Sequence, residues 1–162
     1  MTKIMATNLQ LSHLQFAFPN AIFIYVTRNL FENACSVLHA RLRFEKDTNS
    51  WWSIKPKNWK KCLAKGPVDR TLAQITLIQG QIESHFSQFT TPRIIRIHYE
   101  KFCESPNVQL GNLITQLKNF GCDISQTRHL TDRFEQSDTS FLLAEEIKTE
   151  LRQKTEVLGS LN

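Results

Sequence analysis

The stretch AIFIYVTRNLFENACS, residues 21–36, decides how this chain is expected to fold. Residues 21–27 form an unbroken run of apolar and β-prone side chains, which is typical of a parallel strand buried on both faces. Asn29 is a good helix N-cap, so a helix is predicted over residues 30–43. A strand that leads at once into a helix indicates an α/β protein, and Arg28 lies at the junction.

The rest of the chain contains further helical and strand patterns. They predict helices over residues 7–17, 70–88, 107–119 and 141–158, a second strand over residues 93–102, and a long excursion over residues 45–70 with one short helix at residues 58–64. Strands that alternate with helices imply a parallel sheet with helices on its faces. Two strands make a very narrow sheet of that type, so either strands are missed or the chain is part of a larger domain.

Length and charge limit the possible classes of protein. The chain has 162 residues, enough for one domain with a sizeable core. Its net charge of +5 and its pI of about 9.2 favour an anionic partner, such as a nucleotide, a nucleic acid or an acidic polymer. Composition does not choose among these partners.

Cysteine spacing argues against a metal-binding protein, and hydropathy argues against a membrane protein. The four cysteines form no C-x-x-C pair and have no histidine at metal-finger spacing, so no metal site is expected and the thiols are predicted to be reduced and mostly buried. No apolar run approaches the roughly 18 residues of a membrane span, and the N-terminus has no signal-peptide pattern. The sequence therefore predicts a cytoplasmic protein without a membrane partner.

A candidate anion site lies at the end of the first strand. In open parallel sheets, ligands bind beyond the carboxyl ends of the strands, where Arg28 is expected. The helix that follows presents free backbone N–H groups, and arginine adds a planar set of donors that matches phosphate. Ser36, two helical turns further on, could contact the same phosphate. From residue types alone, Arg28 as a surface cation and Ser36 as an incidental helix residue remain the alternative.

Polar residues also follow the second strand, where His98, Tyr99 and Glu100 are expected to lead into a loop. Tyr99 could stack on a base or pack into the core, and Glu100 could act on a substrate or support a helix. The residues alone favour the core position for Tyr99 and the supporting role for Glu100.

The excursion combines lysines with aromatic residues. Five lysines stand among three tryptophans there: Lys55, Lys57, Lys60, Lys61 and Lys65 with Trp51, Trp52 and Trp59. Such a mixture is found in proteins that bind single-stranded nucleic acid. The sequence favours a solvated lysine face over buried tryptophans, with nucleic-acid binding as the alternative.

Two segments resemble the sulfotransferase family. FPNAIFIYVTRNLFENACSVLHARL, residues 18–42, is similar to the family segment that binds the 3′-phosphate of 3′-phosphoadenosine 5′-phosphosulfate, the sulfate donor. IIRIHYEKFCESP, residues 94–106, is similar to the family strand whose tyrosine lies near the adenine. The resemblance thus assigns Arg28 and Ser36 to the 3′-phosphate and Tyr99 to the adenine.

The subgroup that acts on protein tyrosines, with its bacterial relatives, carries a lysine about 25 residues before the arginine. TKIMATNLQ, residues 2–10, places Lys3 at that spacing from Arg28. In the subgroup this lysine neutralises charge around the sulfuryl group, so the resemblance implies a catalytic role for Lys3.

The resemblance covers residues 2–120 best and implies one domain over residues 1–162. It implies a P-loop-type parallel sheet in a three-layer α/β/α arrangement, and transfer of a sulfuryl group to a hydroxyl or amine acceptor. The glycine-rich loop that holds the 5′-phosphosulfate in the family is absent, since no glycine precedes Gly66. The family triplet RDP is replaced here by Arg28-Asn29-Leu30, which lacks the proline favoured at the first helical position.

From these departures we expect the chain to lack the P-loop strand, as a truncated gene product or as one piece of a split protein, and to be inactive or barely active alone. The alternative is a non-catalytic remnant or interaction module. A partial sheet would also leave an open edge, so self-association is expected.

Overall fold

The computed structural model describes residues 10–90, 92–126, 128–136 and 138–160. Its elements are α1 (Leu11–Ala17), β1 (Phe23–Thr27), α2 (Leu30–Phe44), α3 (Pro67–Phe86), β2 (Ile94–His98), α4 (Tyr99–Glu104), α5 (Pro106–Asn119) and α6 (Glu145–Gly159), with short 3-10 helices at Trp59–Cys62 and Ser140–Leu142. The predicted alternation of strands and helices is confirmed, and so is the short helix in the excursion.

The chain divides into two compact units. The first comprises residues 1–12, 30–88 and 138–162, and the second comprises residues 13–29 and 89–137. The division places β1 and β2 in the second unit and most of the helical residues in the first. One domain over residues 1–162 stays a prediction.

The sheet of the second unit has two strands that run parallel, as the sequence predicted. In its register Phe23 pairs with Ile94 and Thr27 pairs with His98. The prediction that β1 is buried on both faces is wrong, because none of its five residues is fully buried and Val26 is 55% exposed. Among the described residues, no third strand pairs with β1 or β2.

The second strand is shorter than predicted. It ends at His98, and α4 begins at the next residue, so Tyr99 and Glu100 form the first turn of a helix and do not lead into a loop. The alternating pattern of residues 93–98 gives way to YEKFCE, in which Phe102 and Cys103 are the apolar residues and Cys103 is buried. This helical turn fixes the positions of Tyr99 and Glu100 relative to β2.

α5 is followed by a glycine in the left-handed conformation. Gly121 has a positive φ of 83°, and its N–H donates to the Lys118 carbonyl at 2.8 Å. The Cys122 N–H donates to the Leu117 carbonyl at 3.0 Å. These two bonds form a Schellman motif, which satisfies the last carbonyls of the helix.

The first unit has a helical core in which α2 packs against α3 and α6. The buried residues of this core are Ala34, Cys35, Leu38, Val68, Leu72, Ile75, Leu143 and Leu151. The helix predicted over residues 70–88 is confirmed, and within that range it buries the apolar side chains of Leu72, Ile75, Ile82 and Phe86. The helix starts three residues earlier than predicted, because Pro67 occupies its first turn, where a missing N–H costs nothing.

Two buried arginines join this core to the excursion. Arg41 is fully buried and donates to Gln74 Oε1 at 2.6 Å and to Thr71 Oγ1 at 2.9 Å. Arg70 is 6% exposed and donates to backbone carbonyls of the excursion. Burial, and then repulsion from Arg70, lower the pKa of the Arg41 guanidinium to about 10.

The prediction of reduced, mostly buried cysteines is confirmed. All four cysteines are thiols without a disulfide, and three of them are buried: Cys35, Cys62 and Cys103. Among the described residues, no group of histidine, cysteine and acidic side chains could hold a metal ion. In the same part of the chain, no helix combines the length and apolarity needed to cross a bilayer.

Candidate functional site

The register of the sheet continues past the ends of its strands. Thr27 and His98 are the last register pair, and they lie 71 residues apart in sequence. The next two pairs at the same offset also touch, Arg28 with Tyr99 and Asn29 with Glu100. Thr27, Arg28 and Asn29 thus contact His98, Tyr99 and Glu100 in order. These contacts lie at the carboxyl ends of the two strands, where α/β sheets bind ligands.

The first of these contacts beyond the sheet is a cation–π pair. The Arg28 guanidinium carbon lies 5.1 Å from the centre of the Tyr99 ring, and both side chains are half-buried. Cation–π contacts of this kind orient a guanidinium, and its N–H donors lie in its own plane, where phosphate oxygens bind. The contact therefore restricts how Arg28 can meet an anion.

The second contact is a hydrogen bond to a carboxylate. The Asn29 backbone N–H donates to Glu100 Oε1 at 2.7 Å. Glu100 thus supports the start of α2, which is the role that the residues alone favoured. Its carboxylate therefore lies against the backbone of the residue that follows Arg28.

The last strand residues add a polar pair. Thr27 Oγ1 lies 3.0 Å from His98 Nδ1, and it also donates weakly to the Ile97 carbonyl at 3.4 Å. Because His98 is exposed, this pair faces solvent at the same edge of the sheet. The edge thus gathers a hydroxyl, an imidazole, a guanidinium and a carboxylate from two short segments.

The predicted site residues have different outcomes. Arg28 and Tyr99 are in contact, as described above. Ser36 is half-buried on α2 and belongs to the first unit, so its action together with Arg28 stays a prediction. Lys3 lies outside the described residues, so its role also stays a prediction.

Sequence reasoning missed the contacts between the two strand ends. The sequence contained one usable signal. When the two strands are paired in parallel so that Thr27 faces His98, the segments TRN (27–29) and HYE (98–100) align, and all three contact pairs follow. Equal strand lengths alone do not fix a register, and an error of one residue would have exchanged the faces of the sheet.

Comparisons with known proteins give no further guidance. The chain matches no family model, no curated protein and no solved structure.

Proposed function

We propose that the chain is the donor-binding part of a sulfotransferase-type protein, with Arg28 binding the 3′-phosphate of 3′-phosphoadenosine 5′-phosphosulfate. The observation that supports this most is the Arg28–Tyr99 contact at 5.1 Å. The two residues that the resemblance assigns to one nucleotide are neighbours at the carboxyl edge of a parallel sheet. A three-layer, P-loop-type arrangement is the fold that this proposal requires, of which the parallel pair would be one part.

In the proposed site, Arg28 binds phosphate oxygens through its planar donors. The resemblance assigns Ser36 to the same phosphate, and that role stays a prediction. Tyr99 already has Arg28 against its ring, so adenine would contact the remaining face or the edge of that ring. Binding would be mainly electrostatic and therefore weakened by salt.

In the intact domain, the sulfuryl group would move from the donor's 5′-phosphate oxygen to a hydroxyl or amine. The bond between sulfur and the phosphate oxygen breaks, a bond from sulfur to the acceptor oxygen or nitrogen forms, and the acceptor loses a proton. Lys3 would neutralise charge on the group in transfer, as in phosphoryl transfer. Residues 1–162 contain no match to the family's glycine-rich loop, so we expect them alone to bind nucleotide without efficient transfer.

The test is isothermal titration calorimetry with adenosine 3′,5′-bisphosphate, which carries both phosphates of the donor. We expect binding by the wild-type chain that Arg28→Ala weakens about tenfold or more, since a hydrogen-bonded charge is worth about 1.5–3 kcal/mol. Arg28→Lys should recover only part of this loss, because an ammonium cannot form a bidentate contact.

A matched control is Arg128→Ala, which removes one exposed cation from the same unit. It should leave the affinity within about twofold. Absence of binding by the wild type, or equal losses in the two alanine variants, would show that the proposed site is wrong.

The alternative is a non-catalytic remnant or interaction module. Assaying sulfuryl transfer with an extended reading frame distinguishes the two, since only the enzyme would form a sulfated acceptor.

A further inference from the structure

The charge of the chain is concentrated in one segment, residues 44–65, which we call the Trp-Lys segment. Its six lysines and two carboxylates give it a net charge of +4, against +5 for the whole chain. All five lysines from position 55 onward are exposed: Lys55, Lys57, Lys60, Lys61 and Lys65. Among the described residues no carboxylate forms an ion pair with these five. The segment therefore offers a concentrated positive surface that the described residues do not neutralise.

The Trp-Lys segment is ordered although its only helix is the short one at Trp59–Cys62. Arg70 donates to four of its carbonyls, those of Asn49, Cys62, Leu63 and Lys65. Gln74 Nε2 donates to the Trp52 carbonyl at 2.8 Å. Long ordered loops are uncommon, and they usually carry function. These bonds hold the segment in place before any partner binds, which lowers the entropic cost of binding.

The groups beneath the segment are also positively charged. Arg41 and Arg70 are buried, and their hydrogen-bond acceptors are carbonyl, hydroxyl and amide oxygens rather than carboxylates. Repulsion between these guanidiniums contributes to the lowered pKa of Arg41. Two cations in a poorly solvated position strengthen the field at the lysine surface above what the exposed lysines supply.

Aromatic rings stand at the same surface. Phe44 is 61% exposed and stacks on Trp52, with ring centres 6.0 Å apart and planes 8° from parallel. The Arg43 guanidinium carbon lies 5.5 Å from the centre of the Phe44 ring, which adds a further cation at this surface. Trp59 is half-buried, and the Lys55 ammonium lies 4.7 Å from the centre of its ring. The expectation of buried tryptophans is wrong, because Trp51, Trp52 and Trp59 all keep partial exposure. The aromatic rings are therefore available beside the lysines.

We propose that the Trp-Lys segment binds single-stranded nucleic acid, with its lysines on the phosphates and the exposed part of the Phe44 ring in contact with a base. Lysines alone would suit any polyanion, including an acidic protein. The exposed, already stacked aromatic ring favours a single strand, because unpaired bases offer flat faces for stacking. This site is separate in sequence from Arg28 and Tyr99, and its existence does not depend on the proposed nucleotide site.

The test is a titration with a fluorescein-labelled 20-nucleotide oligo(dT), followed by anisotropy and by tryptophan emission. All three tryptophans of the chain lie in the segment, so binding there should change their emission. With about five phosphates neutralised, the slope of log affinity against log salt concentration should be about −3.5 for a single strand. Unchanged emission on binding, or absence of binding in about 20 mM salt, would overturn the proposal.

Variants test the contributions of the lysines and of Phe44 separately. Lys60→Gln/Lys61→Gln should make the slope shallower by about 1.4. Phe44→Leu, which keeps an apolar side chain but not the aromatic face, should weaken binding about tenfold with the slope unchanged. The control Lys118→Gln/Arg128→Gln removes the same charge from exposed positions outside the segment and should change neither property. If the control changed the salt slope as much as Lys60→Gln/Lys61→Gln does, the attraction would be non-specific and the proposal would be overturned.

Competitors identify the class of partner. Unlabelled oligo(dT) should displace the probe, whereas a 20-base-pair duplex and poly-glutamate at equal charge should compete at least tenfold less well. Equal competition by poly-glutamate would indicate an acidic protein partner and would overturn the assignment to nucleic acid.

Discussion

Arg28 stacks on Tyr99, and the next residue, Asn29, donates its backbone N–H to Glu100, which follows Tyr99. Two consecutive residues after β1 therefore contact two consecutive residues after β2. The two contacts support each other. The hydrogen bond fixes the backbone from which the Arg28 side chain extends, and the ring limits the positions of its guanidinium.

Substitutions of Glu100 should affect the stability of the protein and its affinity for nucleotide. Glu100→Ala removes the acceptor of the Asn29 N–H and should destabilise the protein by about 1 kcal/mol, since the bond is exposed. Glu100→Gln keeps an acceptor and removes a charge, so its stability should stay near wild type. Its affinity for adenosine 3′,5′-bisphosphate should equal or exceed that of the wild type. Urea denaturation and calorimetry measure the two effects, and weaker nucleotide binding by Glu100→Gln would contradict them.

Arg41 and Gln74 should be energetically coupled. Arg41→Met leaves Gln74 Oε1 buried without its 2.6 Å donor, which should cost about 1–3 kcal/mol. Gln74→Met should also destabilise, because it removes an acceptor of the buried guanidinium. The double variant should lose at least about 1 kcal/mol less than the two single losses together.

Urea denaturation of the four proteins gives this coupling energy. Arg43→Met, at an exposed position of the same helix, serves as control and should change stability by no more than about 0.5 kcal/mol. Additive losses in the cycle would show that the two side chains act independently.

Two glycines in and after α5 should respond oppositely to alanine. Gly121 has a φ of 83°, so Gly121→Ala should destabilise by about 1–2 kcal/mol through backbone strain alone, because a Cβ there would meet no atom within 4 Å. Gly111 lies inside α5, and a Cβ there also meets no atom within 4 Å. Gly111→Ala should therefore stabilise by about 0.5–1 kcal/mol. Thermal melts report both shifts, and a shift of the same sign in both variants would contradict the assignment of the helix end.

The exposed strand should promote self-association. Val26 is 55% exposed on β1, and Phe16 and Phe18, just before the strand, are 92% and 62% exposed. We expect sedimentation velocity to show concentration-dependent association that Val26→Lys reduces, since charge on an edge strand opposes pairing. Val157→Lys replaces an equally exposed valine on α6 and should have no effect. A monomer at every concentration would disprove this expectation.

The local elements could be predicted because their signals are local. Residues 30–43 carry helical periodicity, and Gly121 marks a helix end by its tolerance of positive φ. The end of β2 could not be predicted, because IIRIH and YEKFC share apolar residues that suit either structure. The contact of α4 with β2 decides between them.

The contacts between distant residues were harder to predict. Nothing in the spacing of Arg70 and Gln74 shows that their side chains support the excursion, because their bonds run to backbone carbonyls that every residue possesses. For the site, the sequence analysis named Arg28 and Tyr99 as candidate residues. The contact of Asn29 with Glu100 depended on the strand register, which the sequence left open.

The parallel pairing of β1 with β2 also has a kinetic consequence. Its partners lie 71 residues apart, and residues 30–88 of the first unit fill most of the interval. Closing so long a flexible loop costs on the order of 4 kcal/mol of chain entropy. That cost falls if α2 and α3 have already packed together, because their contact shortens the free chain between the strands. We therefore expect the helices between the strands to form early and the sheet, with its cluster of polar side chains, to form late in folding.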